Sequence, residues 1–213
     1  RGEVFRKLTR FSEAFSDFGK VLDCFRRSVV NNPASISPKN RNSFVRLMSR
    51  IGLTRYKLKG GKNAPREEIE LSLKDIQIAL KFSPGDTFAC NTIAGIFLEI
   101  GDYENANLHL NASLAKDPDD VDSLISLGRV YRAQKFLDKA EQAFKRAIDI
   151  KNNAVFAHYH LVGVYLDGKR YQPALDIIDR ILSFHKDDRL PPVKQVIQRI
   201  LVATKRGIVV NAP

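Results

Sequence analysis

The stretch VDSLISLGRVYRAQKFLDKAEQAFKRAIDI, residues 121–150, decides how the chain folds. Its apolar and small residues recur at three- and four-residue intervals: Leu124, Leu127, Gly128 and Tyr131 first, then Ala140, Phe144, Ala147 and Ile148. That spacing puts each set on one face of a helix, so the stretch reads as two amphipathic helices joined by a tight turn. Gly128 and Ala140 let the helices approach closely, with the aromatic side chains filling the space beside them. Sliding the stretch by 34 residues in either direction finds it again. Phe97, Tyr131 and Tyr165 share one place; Ala106, Ala140 and Ala174 share another. Leu110, Phe144 and Ile178 share a third, and Ile93, Leu127 and Leu161 a fourth. Three units follow: 87–120, 121–154 and 155–188. A period of this length means stacked helix hairpins, none of which buries its apolar face alone. Asp117-Pro118 ahead of Asp120 supplies a stop and an N-cap, and Gly101-Asp102 and Asp167-Gly168 mark the turns inside the first and third units.

Working upstream, Glu67–Ser83 reads as the second helix of an earlier unit, with Ile76 and Ala79 at the repeat offsets. Its first helix is expected over 38–57, opened by Ser37-Pro38 and carrying Phe44, Leu47, Met48 and Ile51 on its apolar face. Matching the period requires about a dozen inserted residues, and the Lys59–Pro65 segment, rich in Lys and Gly, is the expected place, as a flexible loop. Residues 33–86 thus form a divergent basic repeat with a loop insertion. Phe11, Ala14, Phe15, Phe18, Val21, Leu22 and Phe25 predict a partial repeat over 1–32, and further repeats are expected ahead of Arg1. Downstream, Leu190-Pro191-Pro192 is expected to break the chain before a helix over 193–205. There Val193, Val196, Ile197, Ile200 and Leu201 form the face that covers the open end of the stack; 189–213 is read as this capping helix and a tail.

The pattern of Leu127-Gly128, Tyr131, Ala140, Phe144 and Ala147 resembles the tetratricopeptide repeat (TPR) family. The likeness departs at Leu124, where the family usually has Trp, and at Asn152, where it usually has Pro; unit 87–120 keeps Pro118. The resemblance implies an all-α, right-handed superhelical solenoid of TPR-like helix hairpins, with the C-terminal helix as its cap. It also implies that the first helices line a concave groove that holds segments of other proteins. By helical spacing the groove-facing candidates are Phe88, Asn91, Leu98, Asp122, Ile125, Arg129, Arg132, Phe156, Tyr159, His160 and Leu166. Aromatic and Arg side chains of this kind anchor interfaces, although Phe88 and Phe156 could instead pack between units. Members of the family that hold the acidic C-termini of chaperones use a set of Lys, Asn and Arg. The corresponding places here carry Asn91, Gly95, Ile125, Ser126 and Phe156, which speaks against that function.

The 213 residues carry 35 Lys+Arg against 24 Asp+Glu, a formal net charge of +11, and are 44% hydrophobic. This composition excludes wholesale disorder, and no apolar run is long enough to span a bilayer. The charge is unevenly placed: the segment between Cys24 and Arg66 has eleven Lys/Arg and no Asp or Glu. On the 38–57 helix Lys39, Arg46, Arg50 and Lys57 form a basic ridge, continued by Lys59 and Lys62. Such a ridge fits an acidic protein surface, nucleic-acid phosphates or anionic lipid headgroups, or is a solvated face. It reads as a surface separate from the groove.

Two cysteines, Cys24 and Cys90, make no disulfide framework, and Cys90 stands where Leu124 stands in the next unit, as a small hydrophobe. His158 and His160 lie two apart on a helix and point in different directions, so no metal site is expected. No phosphate loop, dinucleotide fingerprint or nucleophile elbow appears, so neither enzyme activity nor a cofactor is expected. The functional expectation is a cytoplasmic, non-catalytic scaffold or adaptor domain whose groove binds another protein or peptide segment, an acidic one included. Two alternatives stay open: a C-terminal sensor or regulatory TPR arm of a larger signalling or defence protein, and nucleic-acid binding through 39–62.

Overall fold

The computed structural model describes residues 38–205, with side chains from 40 to 203. Among them are nine α-helices and no strand. They are α1 (Pro38–Leu58), α2 (Arg66–Phe82), α3 (Thr87–Ile100), α4 (Tyr103–Lys116), α5 (Val121–Ala133), α6 (Leu137–Ile150), α7 (Val155–Asp167), α8 (Tyr171–Phe184) and α9 (Leu190–Lys205), with a 3-10 turn at Gly61–Asn63. The chain divides into two compact units, Arg1–Phe44 and Val45–Pro213. Of the first, only 38–44 is described, as the opening turns of α1. The expected partial repeat over 1–32, the Lys39 side chain and the tail after 205 lie outside the described residues.

The second unit is an all-α solenoid of helix hairpins. The pairs α3/α4, α5/α6 and α7/α8 pack within themselves, and each second helix packs on the next first helix. Asp86, Asp102 and Asp120 cap α3, α4 and α5 by accepting from the backbone N–H of Ala89, Asn105 and Ser123 at 3.0, 3.1 and 2.8 Å, satisfying donors that a helix start leaves free. Each hairpin turn is closed by the same bond 34 residues apart: Asp102, Phe136 and Arg170 donate their backbone N–H to the carbonyls of Phe97, Tyr131 and Tyr165 at 2.8, 2.9 and 2.7 Å. The turn needs one left-handed residue. Gly101 takes it in the first hairpin, but Lys135 and Lys169 take it in the others, at φ 66° and 56°. In the third hairpin the left-handed position is therefore Lys169 and not the neighbouring Gly168 (φ −86°).

The repeat positions supply the core. Ala106, Ala140 and Ala174 are fully buried, as are Leu110, Phe144 and Ile178. A Cβ on Gly128 would lie 2.6 Å from the Phe144 ring, so only glycine lets α5 and α6 approach this closely. Gly52 plays the same part between α1 and α2, where a Cβ would lie 2.6 Å from Ile76 Cγ1 and 2.5 Å from the Ser72 carbonyl.

That contact fixes the register of α1. Gly52 and Gly128 are 76 residues apart, but the residues they press on, Ile76 and Phe144, are 68 apart. A second pair of contacts repeats the numbers. Tyr56 Oη donates to Glu99 Oε2 at 3.0 Å, and Arg132 Nε donates to Asp167 Oδ2 at 2.7 Å, with the donors again 76 apart and the acceptors 68. The insertion is therefore eight residues, not about a dozen. It lengthens the connection, which runs from Lys59 to Pro65 where α3 and α4 are joined by Gly101 and Asp102 alone, and adds the opening residues of α2. The rest of the mismatch is the extra length of α1 at its N-terminal end. The connection is built rather than loose: Asn63 and Ala64 donate backbone N–H groups to Gly60 and Gly61 at 3.2 and 3.0 Å, and Lys59 Nζ reaches Glu68 at 2.8 Å.

The terminal helix also differs from expectation. α9 begins at Leu190, with Pro191 and Pro192 inside its first turn, where the missing N–H has no helical partner to lose. It packs on α8, burying Leu190 and Ile197 with Leu201 beside them. Val193 and Val196, expected in the buried face, are 40% and 50% exposed. Apolar residues cover two sides of this helix, so their spacing alone does not say which side packs.

Candidate functional site

Consecutive first helices α3, α5 and α7 pack directly on one another, while consecutive second helices have no comparable contact. First helices therefore lie on the inner side of the stack, and the Tyr56–Glu99 bond joins α1 to the same layer. With the eight-residue correction, each place on this inner face is a row of four. Arg46, inside α1, and Phe88, Asp122 and Phe156, at the N-terminal ends of α3, α5 and α7, form one row, all exposed. Arg50, Thr92, Ser126 and His160 form the next, and Leu53, Gly95, Arg129 and Gly163 the one after. Lys57, Glu99, Ala133 and Asp167 form the far edge, again all exposed.

The sequence-derived groove residues divide on this face. Phe156 is 73% exposed and Phe88 36%, so these aromatics face solvent rather than a neighbouring unit. Asp122 and Arg129 are exposed as well. Asn91, by contrast, ties two first helices together: its Nδ2 donates to Ser123 Oγ at 2.7 Å and Asp120 Oδ2 at 3.2 Å, and Ser123 meets Ser113 at 2.7 Å. Ile125 and Tyr159, in the same row, are half-buried against the core, and Tyr159 donates its hydroxyl to Asp187, ahead of α9. Arg132 is held by Asp167 through two bonds of 2.7 and 3.3 Å. Its guanidinium lies across bare backbone at Gly163, where a Cβ would stand 2.4 Å from Nη1. Leu98 and Leu166 are half-buried.

Two features were not read from the sequence. Gly95 has nothing within 4 Å of where a Cβ would be, so the middle of α3 is an open floor beside Arg129. Repeat spacing was the available signal, since Gly95 and Gly163 lie 68 residues apart around Arg129. The second feature is the ridge: Arg46, Arg50 and Lys57 are not a separate surface but the α1 members of the inner rows. The expected separation rested on the net charge lying in the one irregular, insertion-bearing repeat while the regular repeats are balanced.

Electrostatics sharpen the division. Arg55, Lys59 and Arg66, which point elsewhere on the same segment, meet Asp75, Glu68 and Glu70 at 3.0, 2.8 and 2.8 Å. Arg46, Arg50 and Lys57 make no ion pair among the described residues, and Lys62 stands exposed in the 3-10 turn. His160 stacks on Phe144, with ring centroids 5.4 Å apart. Its burial, with Arg129 and Arg132 nearby, pushes its pKa down to about 4, so it is neutral at pH 7. Hydrogen bonding to Arg132 holds the Asp167 carboxyl below its ordinary range. His158 points away from His160 into the core, with Nδ1 3.0 Å from the Ala154 carbonyl. Among the described residues no cluster of three His, Cys, Asp or Glu could hold a metal ion, and no helix is long and apolar enough to cross a membrane.

The face matches a known architecture. A family model described as tetratricopeptide repeat matches residues 92–155, while no curated protein sequence matches the chain. Among solved structures, a tetratricopeptide repeat protein from Parabacteroides merdae superposes with a TM-score of 0.63 at 18% identity, covering 94% of this chain and 75% of its own. Pseudomonas aeruginosa pilF gives 0.62 at 19% identity, covering 79% and 72%. A thermophilic TPR protein of Thermus thermophilus gives 0.57 at 17%, covering 74% and 82%. At these identities the structures speak for the fold alone, one that generally mediates protein–protein interaction. The matched model makes residues 92–155 tetratricopeptide repeats, and the 34-residue period and the repeated turn bond carry the same repeat over 87–188.

Proposed function

We propose that the inner face of α1, α3, α5 and α7 holds an extended segment of another protein, and that the chain works as a non-catalytic scaffold or adaptor domain. The observation that carries this reading is the open floor at Gly95, on the same face as the exposed Phe88, Arg129 and Phe156. Aromatic and Arg side chains around a desolvatable floor are the usual anchors of an interface. First helices packed about 10 Å apart make the four-helix face about 30 Å across, which an extended segment of about nine residues spans.

The test exploits the empty space. Gly95→Trp grows from a Cβ position with no atom within 4 Å and fills the floor. Decapeptides selected from a random display library on the purified chain are expected to bind this variant at least tenfold more weakly, with an unchanged far-UV circular dichroism spectrum. Equal binding, or a library that yields no enriched sequence, contradicts the reading.

A further inference from the structure

The basic segment has a consistent internal logic. Three basic side chains on the back and sides of α1 and its connection are matched by a carboxylate, Arg55 by Asp75, Lys59 by Glu68 and Arg66 by Glu70, while Arg41 and Lys62 are exposed without one among the described residues. Those facing inward, Arg46, Arg50 and Lys57, have no such match among the described residues, and they are exposed. Arg46 and Arg50 are one helical turn apart, about 6 Å along the axis, and Lys57 lies about 10 Å beyond Arg50. They occupy the rows that carry Phe88, Thr92 and Glu99 on α3, and Arg129 continues the positive charge beyond the Gly95 floor.

We infer that α1 is the charged end of the same groove and selects the partner: an extended polypeptide segment with carboxylates at one end, over Arg46, Arg50 and Lys57, and apolar or aromatic side chains at the other, over Phe156. This deepens the groove reading and rests on it. Charge complementarity chooses the acidic end, since arginines that no described carboxylate neutralises gain most from a partner's carboxylates. The same face argues against a nucleic-acid strand. A phosphate backbone places charge along its whole length, whereas this groove is basic at α1 and again at Arg129 but carries Asp122 and Glu99 between and beside them, with apolar aromatics at the far end.

The inference is tested by the composition of the selected decapeptides. On the unaltered chain they are expected to carry a several-fold excess of Asp and Glu confined to one half, with apolar residues in the other. On the Arg46→Glu/Arg50→Glu variant the excess should vanish or invert to Lys and Arg. On Lys74→Glu/Lys81→Glu, which changes the same charge on exposed positions of the outer helix α2, it should persist, so that net charge alone does not explain it. Peptides without an acidic half, or acidic peptides indifferent to Arg46 and Arg50, overturn the inference while leaving the groove intact if Gly95→Trp still blocks them. A single-stranded decanucleotide that binds more tightly than the selected peptides, and is lost with the same arginines, overturns it in favour of nucleic acid. Peptides untouched by Gly95→Trp overturn the groove reading itself.

Discussion

Replacing Phe144 by Ala is expected to lower the unfolding free energy by about 3–5 kcal/mol. Phe144 is fully buried, presses its ring edge against the bare backbone of Gly128 and carries the stacked imidazole of His160 on its face. Truncation removes the transfer energy of the ring and leaves a void that the glycine, having no side chain, cannot fill. Because a repeat stack is held by contacts between neighbours, the loss extends to α7 through His160. Urea unfolding followed by circular dichroism measures it. A loss near 1 kcal/mol, the size of an ordinary surface change, would show that α5 and α6 do not meet as described.

Lowering the pH from 7 to 4.5 is expected to weaken the fold, with His160 the main cause. Its pKa falls to about 4 in the folded chain, against 6.5 for a free imidazole. Between those values the unfolded chain binds a proton that the folded one does not, so stability rises with pH across the window and is lost as pH falls through it. His109 and His158, both lowered by burial, act in the same direction. After allowance for solvent at this partly exposed ring, His160 contributes about 1–2 kcal/mol of the change. Asp167, held low by Arg132, and Glu141, held low by Lys145 and Arg170, lose their stabilisation only at more acid pH. His160→Phe keeps the stack on Phe144 and has no proton to gain. Urea midpoints at pH 7 and 4.5 should therefore differ less for this variant than for the unaltered chain; an equal difference would remove His160 from the account.

Where the 34-residue period runs unbroken, the sequence was enough. The places of Ala106, Ala140 and Ala174 in the core, and the start and stop of α3 to α8, follow from spacing that only one helix face satisfies. The period failed at α1, because eight residues added between Gly52 and Ile76 change the offset without changing the contact, and only the glycine's partner reveals it. The groove was legible in part. Phe88, Asp122, Arg129 and Phe156 are solvent-exposed, as helical spacing requires, but spacing cannot say that Asn91 reaches Asp120 or that Arg132 is drawn down onto Gly163 by Asp167. Those choices are made by residues of the next repeat. For α9 the spacing was ambiguous, since valines and leucines line two of its sides.

Nuclear magnetic resonance mapping of a selected decapeptide, titrated into the 15N-labelled chain, tests most directly whether the first helices, α1 included, form one binding face. The account predicts backbone amide shifts at Arg50, Gly95, Arg129 and Gly163, a row-wise path across α1, α3, α5 and α7. Shifts confined to the outer helices α4, α6 and α8, or to the exposed valines of α9, would contradict it.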